Sequence, residues 1–154
     1  MSVIPEDQMR VHENLFNYIY QNDVEAVRVS MELVQMLHVW DDLIDKDVEI
    51  SNQEINAAFV AALCEVSGSW LWDANAAALA RVAFLKWQTA NYFEANSADE
   101  NQKLMSFVFR AGFIDLFYYF AYKMYGMEWV QHVGPAIASW YGEDFAKYER
   151  EFWG

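Results

Sequence analysis

The chain has 154 residues, 55% of them hydrophobic and 18% aromatic, and a formal net charge of −13 at pH 7. That apolar content excludes a disordered chain, and the length fits one domain spanning 1–154 that buries roughly two-thirds of its unfolded surface. So acidic a surface repels nucleic-acid phosphates and anionic lipid, which excludes both as direct partners, and it attracts cations.

Only six Gly and two Pro punctuate the sequence, and no stretch sustains the alternation of a half-buried strand. The pattern predicts an all-α fold, a compact single-domain bundle of five to seven helices. A first helix is expected from Pro5, suited to the first helical position, with Glu6 and Asp7 favouring the dipole. It runs to about Gln21 and buries Leu15, Phe16, Ile19 and Tyr20. Asn22 and Asp23 end it and cap a second helix from Val24 to about Asp45. There Val24, Val27, Met31 and Val34 form an arc predicted to face the core.

Ser51-Asn52-Gln53-Glu54 reads as a capping box. The third helix then runs to about Val66, with Ile55, Phe59, Leu63 and Val66 inward. Ser67-Gly68-Ser69 breaks the chain, and an alanine-rich helix follows from Trp70 or Asp73 to Ala95. Its stripe of Ala77, Ala80, Phe84 and Trp87 continues into Asn91 and Glu94. A fifth helix is expected from about Asp99 to Tyr125, stopped by Gly126. Glu128 to Trp153 reads as helical with a break at Gly134-Pro135.

The most apolar run, Leu104 to Tyr122, carries Arg110 and Asp115 near its middle. Each charge would cost about 2.5–3.5 kcal/mol at a bilayer centre, so a buried helix of a soluble bundle is the cheaper reading. Met1 to Gln8 lacks the basic start and apolar stretch of a signal peptide. The single cysteine, Cys64, forms no internal disulfide and is expected as a small buried hydrophobe in a reducing, cytoplasmic setting.

The chemistry-bearing stretch is Leu37-His38-Val39-Trp40-Asp41-Asp42-Leu43-Ile44-Asp45. With about 100° per residue and His38 at zero, Asp41 falls near −60°, Asp42 near +40° and Asp45 near −20°. Carboxylates so close repel one another unless a cation sits among them, which makes them candidate Mg²⁺ ligands. The alternative is an acidic, solvated helix end, although negative charge there opposes the dipole.

This stretch resembles the first aspartate-rich motif of the all-α isoprenoid (polyprenyl diphosphate) synthases. The resemblance implies a reduced form of that architecture, with Asp41, Asp42 and Asp45 holding Mg²⁺ against a diphosphate ligand. No second Asp-Asp-x-x-Asp occurs, nor does the arginine pair that follows the motif in that family; Lys46 is the only nearby base. Asp42-x-x-Asp45 is also similar to the E-x-x-D element of MazG-type nucleotide pyrophosphohydrolases, with Glu25 and Glu32 further up the helix. The preceding E-x-x-E helix of those proteins is missing.

Four residues are candidate accessories: His38, Asn91, Glu94 and Asp115. Asp115 lies in an aromatic run and needs a partner, a tyrosine hydroxyl or a base on another helix, because Arg110 sits about 140° away around the same helix. His12, His38 and His132 show no metal-binding spacing, and no nucleophile motif or phosphate-cradling glycine loop is present. Two functions follow. One is Mg²⁺-dependent binding or turnover of a diphosphate through the aspartates. The other is a non-enzymatic helical protein that associates with a protein partner or with itself through aromatic surface.

Overall fold

The computed structural model describes residues 6–140 and 143–154, and they form two compact units that meet in sequence at Trp72 and Asp73. The all-α expectation holds. Among the described residues there are eight α-helices, more than the five to seven expected, one π-helical segment, and no strand.

The first unit contains α1 (Glu6–Ile19), α2 (Val24–Asp45), α3 (Asn52–Val60) and the π-helical segment Ala61–Val66. Pro5, the expected start of α1, lies outside the described residues. Phe16, Ile19 and Tyr20 are fully buried as expected, and the Ser30 hydroxyl donates to Tyr20 Oη at 2.8 Å. Gln21 and Asn22 take positive φ to turn the chain. Asp23 then caps α2, accepting from the Ala26 amide at 2.9 Å. The Ser51–Glu54 capping box forms in full.

Burial corrects two expectations in this unit. Along α2 the buried residues are Ala26, Val29, Ser30, Leu33, Val34 and Val39; of the expected arc Val34 is buried, Val27 and Met31 are half-buried and Val24 is 81% exposed. The Asp41–Asp45 arc therefore meets the core stripe at Val34 and otherwise borders it. In the third helix Phe59 and Leu63, expected inside, are 63% and 73% exposed. Phe59 lies in α3, none of whose residues is buried, whereas Leu63 lies in the π-helical segment, which bonds five residues apart and keeps Ala61 and Val66 on one buried face while Leu63 turns outward. Cys64 goes with that outer face and is exposed, contrary to the buried role expected for it.

The second unit contains α4 (Ala74–Glu94), α5 (Glu100–Arg110), α6 (Ile114–Tyr125), α7 (Met127–Ser139) and α8 (Phe145–Trp153). Asp73 and Asp99 cap α4 and α5, the latter in a capping box with Gln102. The expected long helix to Tyr125 is broken at 111–113, where α5 and α6 bend by 52°. Ala111, Gly112 and Ile114 each donate to the carbonyl three residues back, and this tightening lets Gly112 pass close to the Ala83 backbone of α4. No single helix is long and apolar enough to cross a membrane among the described residues.

Gly126 ends α6 as expected, at φ 86°, a conformation in which a side chain is strained. The break expected at Gly134-Pro135 does not occur. Proline removes only its own N–H bond, and Val133 and Ile137 on either side are fully buried, so packing carries α7 through it. At the far end α8 returns to the α4–α5 hairpin. There the Trp153 indole donates to the Phe93 and Asn96 carbonyls at 3.1 and 3.0 Å.

Candidate functional sites

The aspartate stretch closes α2. Lys46 terminates the helix in the left-handed region at φ 58° and returns its amide to the Asp42 carbonyl at 2.9 Å. Asp41 and Asp42 are half-buried and Asp45 is exposed. His38 Nε2 stands 3.3 Å from Asp42 Oδ2, one turn back along the helix, and supplies positive charge to the cluster when protonated. Beyond the helix end a groove of about 300 Å³ is lined by Asp42, Leu43, Lys46, Asp47, Val48 and Ile50. Among the described residues no group of three or more His, Cys, Asp or Glu stands in a metal-holding arrangement. Burial first, and His38 second, hold the His12 imidazole below its ordinary value.

The other candidates fall in the second unit. Glu94 is the deepest of them, its side chain only 7% exposed, and both its oxygens accept from Arg110 Nη1 at 2.9 Å. Tyr148 Oη donates to the same carboxylate at 2.6 Å and stands 2.6 Å from the fully buried Ser106 hydroxyl. Burial, then the Glu94 charge, raise the Tyr148 phenol far above its ordinary value. This is a structural network in which every charge meets an opposite charge or a donor. Asn91 is half-buried on the same helix.

Asp115 has the kind of partner expected, a base on another helix: Lys86 Nζ of α4 lies 3.5 Å away. The carboxylate is 40% exposed, so the pair is of the weak, screened kind. Asp73 was expected only as a possible helix start. Besides capping α4, it accepts from the Tyr119 hydroxyl and from Lys123 Nζ at 2.8 Å. Those hydrogen bonds, Lys123 first, hold its carboxyl well below the ordinary range.

A depressed carboxylate contributes stability that is complete above the unfolded value, near 3.9, and is lost as pH falls toward the folded value. Acid titration of the melting temperature should therefore show a falling limb below about pH 4, shallower in Asp73→Asn. An unchanged limb would contradict the assignment.

Comparison with protein-family models, with curated proteins and with solved structures finds no match for this chain.

Proposed function

We propose that this chain is a non-enzymatic helical protein that works by association, and that its first partner is a second copy of itself. The observation that carries this reading is the outer face of α4. Ala78, Val82, Leu85, Thr89 and Tyr92 recur at alternating spacings of four and three, the period of a helix-pairing seam, and all five are exposed. Val82 is 46%, Leu85 58% and Tyr92 66% exposed. The adjoining helix α5 adds exposed Leu104, Met105 and Val108. An apolar strip of this kind on a folded surface marks an interface more often than an accident of composition.

Charge supports a second copy as the occupant. A net charge of −13 opposes self-association almost everywhere on the surface. Yet α4 contains a single acid, Glu94, and that acid is turned inward to Arg110. Two α4 faces therefore meet with less repulsion than the chain's composition suggests, and a two-fold pairing of identical patches is the commonest oligomeric solution. Leu85→Glu should abolish pairing while changing the dilute protein's stability by no more than about 0.5 kcal/mol, because the site is exposed. Gel filtration with light scattering and a parallel melt check both halves. A cytoplasmic setting suits a chain that carries one exposed thiol.

A second reading rests on the groove beside Asp42, where acids and Lys46 line one hollow. On this reading Asp42 in the groove, joined by Asp41 and Asp45 of the same helix end through a rearrangement of their side chains, would hold Mg²⁺ against a diphosphate. Pyrophosphate with Mg²⁺ at about 100 times its Kd would then add close to 2.7 kcal/mol of stability, lost in Asp41→Asn/Asp45→Asn. A wild-type melt that does not move would leave association as the sole reading.

A further inference from the structure

Asp115, Tyr118, Tyr119 and Tyr122 occur at i, i+3, i+4 and i+7 of α6 and so share one face. That face and Met127 and Val130 of α7 line a shallow groove of about 290 Å³. We propose that the groove binds a methylated ammonium group, three tyrosine rings supplying the π surface and Asp115 the counter-charge.

Several independent features support this. The two inner tyrosines have their hydroxyls committed elsewhere: Tyr118 donates to the Gly134 carbonyl at 3.0 Å, and Tyr119 donates to Asp73. Those bonds tie the rings to α7 and to the α4 cap, so a ligand meets rings already held, with little ordering left to do. What the groove offers is then carbon and π density, not donors and acceptors, bordered by one carboxylate. A cation with a greasy shell matches that combination, whereas a bare metal ion or an anion does not. Asp115 lines the groove beside Tyr118, whose phenol is raised by burial first and by the Asp115 charge second. An ammonium already stands beside the carboxylate, Lys86 Nζ at 3.5 Å. The net charge of −13 enriches cations around the whole chain.

The probe is choline, titrated at constant ionic strength and followed by the ring-proton NMR shifts of the tyrosines. The control is its neutral isostere, in which a tert-butyl group replaces trimethylammonium. Open aromatic sites hold such cations weakly, so saturation in the millimolar range is expected, with the neutral isostere at least about tenfold weaker. Tyr122, 48% exposed, can be removed without disturbing the core. Tyr122→Ala and Asp115→Asn should each weaken choline several-fold, and Lys86→Met should strengthen it by removing the resident competitor. Thermal melts verify that each variant is folded. Equal binding of choline and its neutral isostere, no saturation in the folded wild type, or full affinity in Asp115→Asn would each overturn the proposal.

Discussion

Glu94→Ala should destabilise the protein by about 3 kcal/mol, seen as a lower urea midpoint at unchanged slope. The side chain is 7% exposed and its partner Arg110 15%, so removing the carboxylate strands a largely desolvated guanidinium. It also removes the acceptor of the Tyr148 hydroxyl, whose ring is fully buried. Glu94→Gln keeps the volume and an acceptor for Tyr148 but gives up the charge, and should fall between wild type and alanine. Arg110 also lies over the Phe152 ring, 5.8 Å from its centroid, so part of its placement survives the loss of the ion pair. Equal stability of Glu94→Ala and wild type would mean that the network is solvated in solution.

Phe117→Ala should cost about 3–5 kcal/mol, the range for deleting a fully buried aromatic side chain. The ring also meets Trp140 edge-on at 5.2 Å, an arrangement that contributes about 0.5–1.5 kcal/mol beyond burial. Phe117→Leu keeps much of the volume and should lose far less. On the helix Phe117 points about 200° away from Asp115, so either variant tests packing behind α6 and leaves the tyrosine face intact. A loss under about 1 kcal/mol in Phe117→Ala would show that this side of α6 is not packed as described.

Much of the fold was legible because it is written locally. The bounds of α2, the Ser51 capping box and the Gly126 stop each depend on a few neighbouring residues, and each is where the sequence implied. The misread features depend on packing between helices. The bend at 111–113 arises where Gly112 passes close to Ala83, and α7 continues through Pro135 because Val133 and Ile137 are buried around it. The π-helical segment shifts the period by one residue, which is enough to turn Leu63 and Cys64 outward.

The candidate sites divide in the same way. That Asp115 needed a base from another helix followed from its angle to Arg110, and Lys86 fills the role. That Glu94 would take Arg110 could not be read, since their meeting depends on how α4 and α5 are set against each other. Asp73 gave no signal beyond a cap, because Tyr119 and Lys123 lie 46 and 50 residues away in sequence. The exposure of the α4 seam was hidden for a similar reason. Ala-rich helices with scattered large apolar residues look the same whether their outer face is covered or bare, and the expected inward stripe included Phe84, which is 37% exposed.

The central claim is that the bare α4 face pairs two copies, and sedimentation equilibrium tests it most directly. From low micromolar to sub-millimolar concentration the weight-average mass should climb from the 18.0 kDa of one chain toward twice that value. The climb should begin at lower concentration in higher salt, because screening relieves the repulsion between two chains of charge −13. Leu85→Glu should remain at the single-chain mass throughout. A wild-type mass that stays at 18.0 kDa across the whole range and at every salt concentration would contradict the account.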